Sequence, residues 1–83
     1  MAFDKSLDQE IFSEEVEFEL TKIIVSVFSY NGGTPKMQIS RKNRNTETGE
    51  WMFSKLGRMQ KDEAEKLPEI MNRALPYMEQ KQE

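Results

Sequence analysis

The sequence has no cysteine and no histidine among its 83 residues. The chain therefore has no disulfide, no thiolate or imidazole catalyst and no Cys/His zinc site. Its carboxylates are concentrated in the first 20 residues and in the last 22, which gives no convergent acid pair for general acid-base work. We expect a protein that is not an enzyme and that has no cofactor and no metal site.

Long apolar runs are also missing. The longest, residues 23–28, is far short of the roughly 20 residues that a membrane span requires. Residues 1–20 contain seven acidic side chains and one basic one, the reverse of a cationic secretory signal. We expect a cytoplasmic protein that has no contact with the membrane.

Charge is distributed unevenly along the chain, and the net value of −3 conceals this. Residues 36–61 carry seven basic and two acidic side chains, whereas residues 62–83 carry three basic and six acidic ones. The middle of the chain is basic and both ends are acidic. A solvated surface with uneven charge would explain this pattern, and so would a binding surface for a polyanion.

Residue periodicity predicts an α+β fold, with a four-stranded, curved antiparallel meander sheet followed by one C-terminal helix. Residues 1–15 have no clear period and are predicted to be an acidic, largely disordered arm. Glycine-rich and polar turns near residues 31–35 and 46–49 separate the later strands. The predicted strands are residues 16–20, 21–30, 36–45 and 51–59, within one domain of residues 16–79 that precedes a frayed tail at 80–83.

The helix is predicted from apolar residues spaced three and four apart after Lys61. Pro68 lacks a backbone donor and should kink the helix or restart it. A chain this short gains burial from a second subunit, so the apolar stripe is predicted to be core or dimer contact. The residues assigned to the dimer interface are Leu67, Ile70, Met71, Ala74, Leu75 and Met78.

A sheet followed by one helix has only one covered face, and the other face normally reads as polar. Here that face would combine aromatic rings with cations, as single-stranded nucleic acid requires for base stacking and phosphate contacts. We expect weak sequence specificity, because every base has a face on which a ring can stack. The predicted binding residues are Lys22, Phe28, Tyr30, Lys36, Gln38, Ser40, Lys42, Arg44, Trp51, Phe53, Lys55 and Arg58.

Each of these residues also has a structural interpretation. Phe28 and Tyr30 could pack across a dimer seam, and Trp51 could shield the core beside a turn. The strand lysines could block aggregation at a sheet edge. Arg41 and Arg73 could be simple surface charges.

Three further hypotheses remain open. Two of them compete with single-stranded DNA binding, and the third adds regulation to it. The basic sheet could bind an acidic protein partner, or single-stranded RNA, since stacking alone does not distinguish the sugars. The acidic arm could also compete with phosphate for the sheet, in which case deletion of residues 1–14 would strengthen DNA binding.

Residues 16–78 resemble the single-stranded-DNA-binding domain of the transcriptional coactivator positive cofactor four. The resemblance rests on the order of several short motifs rather than on any one of them. These are Val25-Ser26-Val27 before an aromatic and a glycine turn, the basic strand after that turn, Gly49-Glu50, Lys55-Leu56-Gly57-Arg58, and Asp62-Glu63 at the start of the helix.

The resemblance implies a homodimer whose helices pack across a twofold axis and whose sheets hold single-stranded DNA or a melted duplex, in replication, repair or transcription. Tyr30 looks like the family's stacking phenylalanine, Lys36 like the lysine that opens its third strand, and Lys55 like a basic phosphate contact. Arg44-Asn45 stands where the family has a stacking tryptophan, so that role is vacant or taken by Trp51 or Phe28. The long serine-rich arm of the human coactivator is missing, which favours a small bacterial-type relative that could be associated with the nucleoid.

Overall fold

The sheet is a meander of four antiparallel strands, and the computed structural model describes residues 4–79 of the chain. The strands lie side by side in chain order, and one helix follows the last of them. The predicted α+β class and meander are confirmed. The elements are β1 (Asp8–Glu17), β2 (Thr21–Tyr30), β3 (Lys36–Arg44), β4 (Trp51–Ser54) and α1 (Lys61–Ala74), with 3-10 turns at Lys5–Leu7 and Leu75–Met78.

The first strand corrects the prediction of a disordered arm at residues 1–15. β1 pairs with β2 from Asp8 opposite Tyr30 to Glu17 opposite Lys22. Its apolar side chains, among them Phe12, pack against the core, and this burial offsets the entropy lost on ordering the segment. Residues 1–3 of the predicted arm and the predicted tail at 80–83 lie outside the described residues.

A β-bulge at Ile11 explains why β1 shows no clear period. Glu10 lies opposite Phe28, whereas Phe12 lies opposite Val27, so Ile11 is an extra residue in the strand. Ile11 and Phe12 both pack against the core although they are adjacent in sequence. The alternation therefore changes phase in the middle of the strand.

The two later hairpin turns lie where the sequence predicts them. Asn31 and Gly32 both have positive φ, 51° and 71°, in the turn between β2 and β3. Gly49, with φ 78°, occupies the turn before β4. Glycine and asparagine tolerate this left-handed region better than other residues do.

β4 is shorter than the predicted strand at residues 51–59, because it ends at Ser54. Beyond Ser54, two backbone carbonyl oxygens accept hydrogen bonds from the side chain of Arg41 instead of from a neighbouring strand. Arg41 Nε donates to the Leu56 carbonyl oxygen at 3.1 Å, and its Nη2 donates to the Arg58 carbonyl oxygen at 3.4 Å. Gly57 between them has φ 53°, in the left-handed region that glycine tolerates.

The core lies between the sheet and one stripe of α1. Each fully buried aliphatic side chain in such a core contributes about 1.5–3 kcal/mol relative to its exposure to water. α1 is continuous through Pro68, so the helix does not restart there. The buried apolar residues are Ile23, Val25, Val27, Leu67, Ile70 and Ala74.

The sequence predicts core or dimer contact for the helix stripe, and most of its residues belong to the core of a single chain or pack against it. Leu67, Ile70 and Ala74 are already buried within one chain, at 6%, 3% and 0% exposure. Met71 and Met78 are half-buried against the same core. Leu75, of the predicted interface set, remains exposed at 52%.

In the described residues, no helix has the length and apolar character of a membrane span.

A buried ion pair joins β3 to the first turn of α1. Arg41 is 8% exposed and Glu63 3% exposed, which corrects the expectation that Arg41 is a surface charge. Arg41 Nη1 also donates to Thr21 Oγ1 at 2.9 Å, and the backbone N–H of Gln60 donates to Glu63 Oε1 at 2.8 Å. The hydrogen bonds from Arg41 hold the pKa of Glu63 below its usual value, against the opposing effect of burial.

Candidate nucleic-acid interface

The sheet face opposite α1 carries most of the predicted binding residues. The strand register puts Lys22, Lys42 and Phe53 side by side on this face, with Ile23 and Arg41 on the opposite, helix-covered face. We call the uncovered side the open face. The predicted residues that alternate onto it are Lys22, Phe28, Tyr30, Lys36, Gln38, Ser40, Lys42, Arg44, Trp51 and Phe53.

β3 forms the cationic column of the open face. Lys36 stands at one end of the strand, and Lys42 and Arg44 stand at the other. Gln38 and Ser40 fill the positions between them. Alternate residues of a strand are about 7 Å apart, so the column is a line of polar and positive groups along the sheet.

β4 adds two aromatic rings beside this column. Phe53 is 75% exposed, the largest exposed fraction among the large apolar side chains of the described residues. Lys42 Nζ lies 4.6 Å from the centroid of its ring. Trp51 is half-buried, with Lys22 Nζ at 4.7 Å and Arg44 Cζ at 6.0 Å from its ring centroid. Rings and cations therefore alternate on this part of the open face.

Two further aromatic residues stand at the far end of β2. Phe28 and Tyr30 line a cavity of about 550 Å³ together with Lys36 and Asp8, beside the glycine turn. The Tyr30 hydroxyl accepts a hydrogen bond of 2.9 Å from the backbone N–H of Asp4. This hydrogen bond ties the N-terminal 3-10 turn to the end of β2 on the open face.

A shallow groove of about 350 Å³ crosses the middle of the open face. Ile24 and Ser26 form its floor on β2, and Phe53 lies on its β4 side. Lys42 and Gln38 also line it. The groove is small and partly apolar, as suits a flat ring lying on the sheet.

β1 contributes an acidic column to the same face, which sequence reasoning missed. By register, Glu10, Glu15 and Glu17 face the same side as Phe28, Ile24 and Lys22. Glu15 Oε2 is 2.9 Å from Lys22 Nζ, and the side chain of Lys22 is only 13% exposed. One predicted phosphate contact is thus already engaged by a carboxylate of the chain.

Lys55 and Arg58 lie beyond the end of the sheet. Neither residue belongs to a strand, so register does not assign either one to the open face. Arg58 instead lines a cavity of about 600 Å³ with Arg44 and Asp62 near the start of α1. Both side chains are exposed.

No family model matches this chain, and no curated protein or solved structure is significantly similar to it. The resemblance to positive cofactor four stays a prediction that rests on the motifs quoted above. No group of three or more acidic side chains in residues 4–79 is arranged to hold a metal ion.

Proposed function

We propose that this protein is a non-catalytic single-stranded-DNA-binding protein with little sequence specificity, acting in the cytoplasm in replication, repair or transcription. One observation supports the proposal above all. Phe53 is 75% exposed beside Lys42 on a sheet face that no helix within residues 4–79 covers. A large exposed aromatic ring lowers the solubility of a protein. A base that stacks on the ring removes this apolar surface from water.

The proposal assigns different tasks to neighbouring strands. Phe53, Trp51 and Phe28 are the stacking rings, each worth about 1–3 kcal/mol per stacked base. Lys36, Lys42 and Arg44 of the cationic column neutralise phosphates, and this term depends strongly on salt. Neither contact reads the edge of a base, which accounts for the weak sequence specificity.

A homodimer is part of the same proposal. A chain of this size leaves much of its surface exposed. Large apolar side chains stand outside the core at Leu75 and Tyr77, which are 52% and 51% exposed. Sedimentation equilibrium at micromolar concentration should give twice the mass of one chain, and a single-chain mass at all concentrations would contradict the dimer.

A protein-interaction module is the second candidate, and the ion pair between Glu15 and Lys22 favours it. In this pair a carboxylate of the chain itself lies 2.9 Å from a cation of the open face. An acidic peptide would use the same cations without the rings. Such a module would have negligible affinity for oligonucleotides at physiological salt.

One titration separates these functions. Fluorescence anisotropy of labelled single-stranded DNA, duplex DNA and single-stranded RNA is measured at several salt concentrations. The proposal expects the tightest binding to single-stranded DNA and a log-log salt slope of about −2 to −4, from about 0.7 per phosphate and three to five phosphates. A tight complex with a flat salt response, or no complex at all, would contradict it. Equal or tighter binding of RNA would favour the RNA alternative.

A further inference from the structure

The acidic and cationic columns of the open face lie close enough to act on the same ligand. β2 separates them, and neighbouring strands are about 4.8 Å apart, so the columns are about 10 Å apart. This distance is comparable to the screening length of about 8 Å at physiological ionic strength. A phosphate above β1 therefore meets repulsion that a phosphate above β3 largely escapes.

Glu15 adds a second, local effect through Lys22. Lys22 is the one cationic residue of β2. Its ammonium lies between the Glu15 carboxylate at 2.9 Å and the Trp51 ring at 4.7 Å. Lys22 must give up the Glu15 carboxylate before it can neutralise a phosphate, so it adds little to binding of DNA.

We propose that Glu15 is a specificity-determining residue that restricts the open face to one phosphate chain and disfavours duplex DNA. The inference rests on the proposed function. A single strand follows β3, with its phosphates on the cationic column and its bases on the rings. A duplex that lays one backbone along β3 carries its other backbone about 12 Å away across the major groove, which brings it over the carboxylates of β1.

Substitution of Glu15 by glutamine tests this proposal directly. The side chain of Glu15 is 51% exposed, so the variant is expected to fold. Glu19→Gln is the matched control, because it removes the same charge from an exposed residue in the turn between β1 and β2, outside the paired strands. Circular dichroism confirms that both variants are folded before binding is measured.

We expect E15Q to raise affinity for duplex DNA by roughly fivefold at low salt, the size of one water-exposed ion pair, and to raise affinity for single-stranded DNA by a smaller factor. The salt slope for duplex DNA should steepen by about 0.9, which corresponds to one additional phosphate contact. E19Q should change both affinities by one equal, smaller factor. In a Lys22→Gln background, E15Q should lose its effect on the salt slope.

The outcomes separate the two proposals. If the parent binds single-stranded DNA but E15Q and E19Q behave alike, Glu15 has no special role and the function stands. If E15Q improves single-stranded binding as much as duplex binding, the specificity argument is also overturned. If the parent binds no single-stranded DNA, the proposed function fails and this inference fails with it.

Discussion

Arg41 and Glu63 form two parallel hydrogen bonds inside the protein, from Nη1 to Oε2 at 2.7 Å and from Nη2 to Oε1 at 3.1 Å. The planar guanidinium matches the carboxylate at both oxygens, an arrangement that a lysine cannot reproduce. The pair fixes the start of α1 against β3. It therefore helps to hold α1 on the face of the sheet that carries Arg41 and the apolar core.

Glu63→Gln should lower the free energy of unfolding by about 3 kcal/mol, because it leaves the buried guanidinium without its counterion. We expect the lower end of the range for such pairs, since the molecule is only 18 Å thick along its shortest axis and water lies close by. Urea denaturation measures the change. Glu65→Gln, an exposed acid on the same helix, is the control and should change stability by less than about 0.5 kcal/mol. Equal losses in the two variants would show that the pair contributes nothing special.

Stability should fall as the pH drops below about 4.5, the ordinary pKa of glutamate. The pKa of Glu63 is lowered in the folded protein by hydrogen bonds from Arg41, and the pKa of Glu14 is lowered by hydrogen bonds from Arg73. A carboxyl whose pKa is lower in the folded than in the unfolded protein stabilises the fold at pH values above its unfolded pKa. That stabilisation is lost as the pH falls through the folded pKa.

Urea denaturation at neutral and acidic pH tests this dependence. The parent should lose more stability on acidification than Glu63→Gln does, because the variant has no carboxyl to protonate at that position. A gap between parent and variant that stays constant with pH would exclude Glu63 as the source.

Phe53→Ala should weaken binding of single-stranded DNA by about 1–3 kcal/mol, the cost of one stacked base, while leaving stability nearly unchanged because the ring is 75% exposed. Met52→Ala is the matched control. Met52 is the preceding residue of β4, is 59% exposed and faces the opposite side of the sheet. Anisotropy titrations of both variants should separate them, and equal losses of affinity would place the contact elsewhere.

Lys42→Ala should reduce the magnitude of the salt slope by about 0.7, because it removes one phosphate contact from the cationic column. Lys66→Ala removes the same charge from an exposed position on α1 and should leave the slope unchanged. Titrations against labelled oligo-dT over a series of salt concentrations provide both slopes. The cationic column would lose its role if the two lysine variants had the same slope as the parent.

Deletion of residues 1–14 should destabilise the protein rather than strengthen its binding of DNA. The deleted segment contains most of β1, including Phe12, whose ring lies 4.9 Å from that of Tyr77. It also contains Glu14, which forms an ion pair with Arg73 of α1. Urea unfolding followed by circular dichroism should show an earlier midpoint or no cooperative transition. A truncated chain as stable as the parent would mean that β1 is dispensable.

β2, β3 and the side of the sheet that forms the open face follow from residue alternation alone. β2 and β3 each keep one phase along their length, so the side of Phe28, Lys36 and Lys42 is readable from the sequence. The turn glycines bound these strands at both hairpins. Where the backbone is regular, the alternation of side chains along a strand is sufficient to predict which face of the sheet each residue occupies.

Two features escaped prediction, and only the first comes from a break in that regularity. The bulge at Ile11 shifts the phase of β1 and hides both its core side chains and its acidic column. Arg41 has the same parity as Ile39 and faces the core, where a charge needs a partner. That parity was a usable signal, but the partner, Glu63, is 22 residues away on another element.

The position of Trp51 gives the open face a natural optical probe. It is the single tryptophan of the chain, and its ring has an ammonium on it and a guanidinium nearby. Indole emission responds to charge and to stacked bases at such distances, so the unlabelled protein reports occupancy of this face through its own fluorescence. Every ligand class discussed above can therefore be compared on one native signal without attaching a dye to either molecule.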